Sequence, residues 1–244
     1  MKFSIITVVK NRVNEINKTI KSVLSQDFKN FEYIIIDGKS TDGTSEEILK
    51  FKNKILYFRE SDKGLYHALN KAYIRCKGQI ICHMHAGDIF AKKNILSKVN
   101  EKFENKNIDL LSGNLKFINL KTNKVSRVWR YPIKSLDKYN VYKVPHTSIF
   151  FKKEILKISK NYNQKYKIAS DTDFLLRLSN INLNYYYYDK FIIFMSNKGL
   201  STSFITILKK IREDVAIYTN YFGFLGVLLL TKKIIYKVPS FFKS

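Results

Sequence analysis

The 244-residue chain has only two cysteines, three prolines, nine glycines and one tryptophan. Cys76 and Cys82 match no metal-ligand spacing and no disulfide framework, so both are expected as free thiols in a reducing, cytoplasmic setting. No Pro/Gly/Ser-rich linker interrupts the chain, and there is no internal repeat, so independently folding domains are not expected. No apolar run reaches about 18 residues, which argues against a transmembrane helix. The first residues, Met1-Lys2-Phe3-Ser4-Ile5-Ile6, run straight into a strand-like stretch without an apolar h-region, so no signal peptide is expected. Acidic residues are scarce, 20 against 44 Lys and Arg, and the net charge is +24.

So large a positive charge fits nucleic acid, an anionic membrane surface or an acidic substrate, and a bias toward Lys, Asn and Ile contributes to it. The lysines are spread along the whole chain and no RNA- or DNA-binding motif is present, which disfavours nucleic acid. What is present is a globular composition, 45% hydrophobic and 26% charged, enough for one sizeable α/β domain with a buried core.

Residues 3–9, 31–36, 55–58 and 79–83 read as strands. Between and after them, residues 13–25, 45–51, 65–75 and 94–103 read as helices, with Thr44 or Ser45 capping the second. This alternation predicts a mainly parallel sheet with helices on both faces and all strand C-termini on one edge, where such sheets bind ligands. Beyond residue 106 the pattern loosens. Residues 110–113, 115–119, 125–131, 148–151, 185–188 and 191–195 read as short strands, and a helix begins at Asp171. From about Phe204, apolar residues recur at helical spacing beside Lys209, Lys210 and Arg212, followed by the apolar run 221–230. That tail reads either as a membrane-interface element or as a helix pair packed on the core.

Four segments fall at strand ends. Thr7-Val8-Val9-Lys10-Asn11-Arg12 follows the first strand. Asp37-Gly38-Lys39-Ser40-Thr41-Asp42-Gly43-Thr44 delivers a carboxylate into a loop of small polar residues. Such an Asp accepts hydrogen bonds from a base or ribose. Ser61-Asp62-Lys63-Gly64-Leu65-Tyr66-His67-Ala68-Leu69-Asn70-Lys71 opens a helix, whose N-terminus attracts phosphate. His83-Met84-His85-Ala86-Gly87-Asp88 places a carboxylate where Mg²⁺ or Mn²⁺ can be held against a diphosphate. Its two histidines lack a third neighbouring ligand for zinc.

Taken together, these segments resemble the family 2 glycosyltransferases, which have the GT-A fold. The chain carries Ser4-Ile5-Ile6-Thr7 with Asn11, Asp37-Gly38, Asp42-Gly43-Thr44, Asp62-Lys63-Gly64-Leu65-Tyr66 with Ala68, Asn70 and Lys71, and Ala86-Gly87-Asp88, in the family's order. The resemblance implies an inverting transfer from a nucleotide diphosphate sugar, with a UDP-sugar favoured. It implies residues 1–105 as the donor half, 106–203 as the acceptor and catalytic half, and 204–244 as a basic amphipathic tail. Thr7 and Asp37 would line the nucleoside pocket, with Asp62 and Lys63 near the base or phosphates. Asn11, Tyr66, Asn70 and Lys71 would contact substrate. Asp88 would be the surviving carboxylate of the family's metal element and would hold Mn²⁺ or Mg²⁺. Here the chain departs from the pattern: His85 stands where an acidic residue or Asn is usual, and Gly87 replaces the middle acid.

The segment 169–178 resembles the family's (E)D-x-D-x-x-x-x-R element, which makes Asp171 the general base; an N-cap is its structural alternative, and Asp173 its rival. His146 lies, by resemblance, near the acceptor side. Lys198-Gly199-Leu200-Ser201 resembles an element that closes over the diphosphate, with Lys198 pairing to phosphate. The acceptor implied is a surface glycan, such as lipopolysaccharide or capsule, or a lipid-linked oligosaccharide, at the anionic cytoplasmic face of the inner membrane. An inactive scaffold homologue is the alternative raised by the altered metal element. A nucleotidyltransferase is disfavoured, because residues 10–14 contain no glycine.

Overall fold

The structure is a computed structural model that describes residues 3–119, 122–196 and 204–237, without the side chains of residues 204, 205 and 237. Strand β1 (Phe3–Val9) pairs in parallel with β2 (Phe31–Asp37) and with β4 (Ile80–His83), and β2 pairs in parallel with β3 (Leu56–Arg59). Helices α1 (Val13–Leu24), α2 (Thr44–Leu49) and α3 (Leu65–Arg75) make the crossovers. The expected βαβαβαβ order is therefore present.

Period-two alternation decides which face each strand residue serves. Phe3, Ile5, Val9, Tyr33 and Ile35 pack with Ile16, Ile20 and Val23 of α1 and Ile48 of α2. Ile6, Val8, Ile34 and Ile36 pack on the other face with Leu69, Ala72 and Tyr73 of α3. Ile5, Ile6, Ile34 and Ile35 are fully buried, each contributing on the order of 1.5–3 kcal/mol. These strands are apolar on both faces because helices cover both.

The second half is mixed. After β5 (Ile89–Phe90) and α4 (Ile95–Asn105), the long strand β6 (Leu110–Ile118) pairs in parallel with β9 (Tyr185–Ser196) on one side. On its other side its two ends meet β8 (Ile149–Lys152) and β7 (Val125–Trp129), both antiparallel. β8 also pairs antiparallel with β4, which joins the halves into one nine-stranded sheet. The two short strands expected at 110–119 are one, and so are the two at 185–195. The register shifts around Asn114 keep each continuous past its polar interruption.

Two further differences have local causes. No side chain caps α2 as expected of Thr44 or Ser45; Gly43 precedes it in the left-handed region, and Asp42 instead accepts the Thr44 N–H at 3.0 Å. The tail forms a helix pair, α7 (Phe204–Phe222) and α8 (Leu225–Lys237), beside α5 (Ile155–Ser159) and α6 (Ser170–Ser179). Ile217, Tyr218 and Leu230 of the pair are buried. Gly226 lets α8 fold back on α7, since a Cβ there would lie 2.3 Å from the Tyr218 carbonyl oxygen. The tail is thus a helix pair packed on the core.

Candidate active site

Antiparallel pairing of β8 with β4 sets Cys82 opposite Phe150, so the 3-10 turn His146–Ser148 leading into β8 lies beside the chain leaving β4. Ser148 anchors that turn by donating its hydroxyl to the Gly113 carbonyl at 2.7 Å. His146 Nδ1 then lies 2.9 Å from Asp171 Oδ2, with the two side chains 31% and 15% exposed. The Tyr66 hydroxyl, from the first turn of α3, is 3.1 Å from Asp171 Oδ1 and 2.8 Å from the Ile168 carbonyl. Burial alone would push the Asp171 carboxyl up, but the charges of His146, Lys210 and Lys233 outweigh it and hold it well below the usual carboxylate range.

This geometry separates the readings of Asp171. Although Asp171 opens α6, the helix has no side-chain cap; the carboxylate turns to His146 and Tyr66 instead. Its rival Asp173 is buried and committed, its carboxylate accepting from Arg177 Nε at 3.0 Å while Arg177 also donates to the backbone carbonyls of Ser159, Lys160 and Asn161. Asp173 and Arg177 thus clamp the chain ahead of α6.

The chain after β4 supplies a second set of groups. The Asp88 N–H donates to the His85 carbonyl at 2.9 Å, closing a turn. Gly87 sits in that turn at φ 100°, a conformation that favours glycine, and a Cβ on it would approach Ser196 to 3.0 Å. Asp88 is buried, its Oδ2 has no hydrogen-bond partner, and burial pushes its carboxyl up to about 8. Both His85 ring nitrogens also lack partners, and burial, then His146, pull the imidazole down to about 3, so it is neutral. The His85 and His146 rings are 6.1 Å apart, which links this turn to the dyad. A buried acceptor without a donor is costly, and a divalent cation reverses that cost. Asp88 therefore fits Mn²⁺ or Mg²⁺ as a single protein carboxylate whose remaining ligands are diphosphate and water. No cluster of three or more His, Cys, Asp or Glu forms a metal site among the described residues.

The remaining candidates divide. Asp62 flanks the loop after β2: its carboxylate lies where a Cβ on Gly38 would point, beside the Lys10 side chain, while the Lys63 N–H donates to His67 Nδ1 at 2.9 Å. Asn11 joins the same loop, accepting from the Thr41 N–H and donating its own N–H to Ser40, both at 2.9 Å. Asp37 lies beneath that loop, fully buried, accepting from Ser40 N–H (2.9 Å), the Ser40 hydroxyl (2.6 Å), the Ser45 hydroxyl (2.5 Å) and Tyr57 (2.9 Å). Thr7 is likewise interior, its hydroxyl bonded to Tyr33 and the Met84 carbonyl. Asn70 bonds the Tyr162 backbone in both directions, at 2.8 and 2.9 Å, and Lys71 donates to the Ser61 carbonyl at 2.7 Å. In this structure Thr7, Asp37 and Asn70 are buried framework residues, and Lys71 is a part-exposed tether that also pairs with Glu60 at 3.6 Å. Lys198 lies outside the described residues. Lys10 was given no role of its own in the sequence and Ser45 only that of a helix cap, and the contribution of Lys210 and Lys233 went unread, because nothing in their spacing ties them to Asp171, 39 and 62 positions earlier.

The sequence profile described as Glycosyl transferase family 2 matches residues 4–177. An uncharacterised glycosyltransferase of Rickettsia typhi is 27% identical over 238 residues, covering 89% of this chain and 70% of the relative. One from Rickettsia conorii is 39% identical over 108 residues, covering 43% of this chain and 18% of that protein. Among solved structures, S. aureus TarS 1-349 in complex with UDP-GlcNAc superposes with a TM-score of 0.72 at 20% identity, over 90% of this chain and 67% of that one. A mannosyltransferase of Pyrobaculum calidifontis in complex with GDP-Man and Mn²⁺ gives 0.66 at 15% identity, over 90% and 63%. The chain thus spans only part of several of these proteins. The likeness to the solved structures shows the shared GT-A-like fold.

Proposed function

Because the chain belongs to glycosyl transferase family 2, we propose that it is an inverting transferase moving a sugar from a nucleotide diphosphate sugar to an acceptor hydroxyl. The observation that carries this reading is the disposition of Asp171: ionised, partly open, and turned from its helix toward His146 and Tyr66. In the reaction the acceptor oxygen attacks the anomeric carbon from the face opposite the diphosphate. The bond to the diphosphate breaks with its electron pair leaving on the phosphate oxygen, and the acceptor proton passes to Asp171. A positioned general base of this kind is worth about 10²–10⁴-fold. A divalent cation, when held at Asp88, supplies positive charge to the departing diphosphate. Asp62 and Asn11, at the loop after β2, and Lys63 beside Asp62 in sequence would hold the nucleotide, and His146 would keep Asp171 turned toward the acceptor.

A UDP-sugar is the favoured donor: TarS has been solved with UDP-GlcNAc, while the Pyrobaculum mannosyltransferase takes GDP-Man with Mn²⁺. The acceptor we infer is a surface glycan or lipid-linked oligosaccharide at an anionic membrane face. No helix among the described residues is long and apolar enough to cross a membrane. The outward side of the α7–α8 pair, however, exposes Leu208, Phe224, Leu228 and Ile235 next to exposed Lys209, Arg212 and Lys232, a composition suited to lying on anionic lipid. Phe224→Ser combined with Leu228→Ser should abolish sedimentation with vesicles containing phosphatidylglycerol; unchanged sedimentation removes the membrane from the proposal.

The donor site is tested by thermal unfolding with UDP, GDP, dTDP and CMP, each with and without Mn²⁺ or Mg²⁺. A ligand bound only to the native state adds about 2.7 kcal/mol at a hundredfold excess over its Kd. A metal-dependent rise with one nucleotide supports the reading and names the base. No rise with any of them, in folded protein, turns the argument to the inactive scaffold alternative.

A further inference from the structure

The family match ends at residue 177, before either tail helix begins. Yet the inner side of the α7–α8 pair grips the chain on both sides of Asp171. The Glu213 carboxylate, from the middle of α7, accepts three consecutive backbone N–H groups, those of Lys167, Ile168 and Ala169, each at 2.9 Å. Just past Asp171, the Thr172 hydroxyl donates to Asp214 at 3.1 Å. Asp214 in turn is 2.9 Å from Lys233 of α8 and 3.5 Å from Lys210, and Asp214 and Lys233 are both buried at 5% exposure. The Ile168 carbonyl, between the gripped N–H groups, lies within hydrogen-bond reach of Tyr66, the same side chain that meets Asp171. Residues 167–169 and 172 are thus tied to the tail, while the carboxylate of Asp171 is left to face His146.

We infer that Glu213 and the Asp214–Lys233 pair are positioning residues for the catalytic base, so that the C-terminal helix pair is a working part of the active site. The inference rests on the assignment of Asp171 as base. A carboxylate taking three charge-assisted N–H bonds is a strong, directional anchor. A buried ion pair is a weak source of stability but a sensitive one to break, because loss of one partner leaves an uncompensated charge. Both features serve geometry rather than stability, and a base misplaced by about 1 Å costs on the order of 10²-fold.

The groups facing Asp171 are His146 before β8, His85 after β4, Tyr66 of α3, Tyr162 before α6, Lys210 and Tyr218 of α7, and Lys233 of α8. The test follows the Asp171 carboxyl by ¹³C NMR, assigned against Asp171→Asn, in wild type, Glu213→Ala, Glu213→Gln and the double variant Asp214→Leu with Lys233→Met. The double variant replaces the ion pair by apolar side chains, which such sites tolerate. Turnover is read in parallel as nucleoside diphosphate released by water from the sugar nucleotide carrying the stabilising base.

Glu213→Ala should raise the Asp171 titration midpoint by at least about one pH unit as the carboxylate drifts from its cationic partners. Removing a negative charge without moving Asp171 lowers it instead. Turnover should fall about 10–100-fold with the donor KM within about twofold, and Gln should restore part of it. The double variant should raise the midpoint as well. A midpoint unmoved or lowered in folded Glu213→Ala, or unmoved in the double variant, overturns the inference. Wild-type turnover in Asp171→Asn overturns the base assignment alone, and the NMR midpoints still judge the positioning.

Discussion

Asp88, buried after β4, and Asp171, part-buried at the start of α6, lie on segments linked by the His85 and His146 rings, 6.1 Å apart, and they meet the cost of burial in opposite ways. Asp171 is surrounded by His146, Tyr66 and the two tail lysines, and is ionised well below the ordinary range. Asp88 has a backbone turn around it, an orphaned Oδ2 and a carboxyl lifted to about 8. One carboxylate is charged because the fold supplies the opposing charge. The other is left for a ligand to charge. That division suits a reaction in which a base must be ready before the substrates arrive, whereas the cation arrives together with the diphosphate it neutralises.

Substitutions that erase one side of this contrast should separate the roles. Asp171→Asn keeps the shape and removes the base; turnover should drop by about three orders of magnitude while the nucleotide-induced rise in unfolding temperature stays intact. A drop of less than tenfold would assign the base elsewhere. Asp88→Asn should cost about 10²-fold in turnover and erase the dependence of nucleotide binding on Mn²⁺ or Mg²⁺, measured in the same thermal assay; retained metal dependence would place the cation on other ligands. His146→Gln keeps a polar side chain but removes the imidazole beside Asp171, and a loss of about tenfold is expected, with the acid limb of kcat/KM moved upward.

The pH dependence of stability is the most direct test of the contrast. The Asp88 carboxyl binds its proton more tightly folded, at about 8, than unfolded, near 3.8. Its contribution to stability is therefore fully present below about pH 4 and is lost as the pH rises toward 8. Metal-free wild type should lose stability relative to Asp88→Asn across that window, by up to about 1.4 kcal/mol per pH unit. Added Mn²⁺ should flatten the difference in denaturant titrations. Asp171 runs the other way: its depressed carboxyl contributes stability above its ordinary value that disappears only as the pH falls through its folded one, so it adds no slope near neutrality.

The two halves of the chain differed in how readable they were. In β1, β2 and β4 the apolar runs are short, bounded and matched one for one by helices, so local pattern and global fold agree. In β6 and β9 polar residues such as Asn114 and Asp189 sit within the strands; they bond each other at 2.9 Å, and each strand was read as two. The site showed the same split. Asp171, Asp88, Asp62 and Asn11 stood out because each falls at a strand end or helix start. Glu213 carried no signal, because its partners are backbone N–H groups more than 40 positions earlier.

By itself, then, the order of residues determined the alternating parallel half, the edge on which the site lies and the family motifs along it, since these depend on period, turn chemistry and short spacings. Tertiary structure alone decided which carboxylate stands charged and which stands orphaned. It also tied Asp173 to Arg177 in a clamp on the chain ahead of α6, and folded a basic tail against the helix that begins beside Asp171. Those outcomes depend on what is brought within a few ångströms from distant parts of the chain, where burial and opposing charge are set.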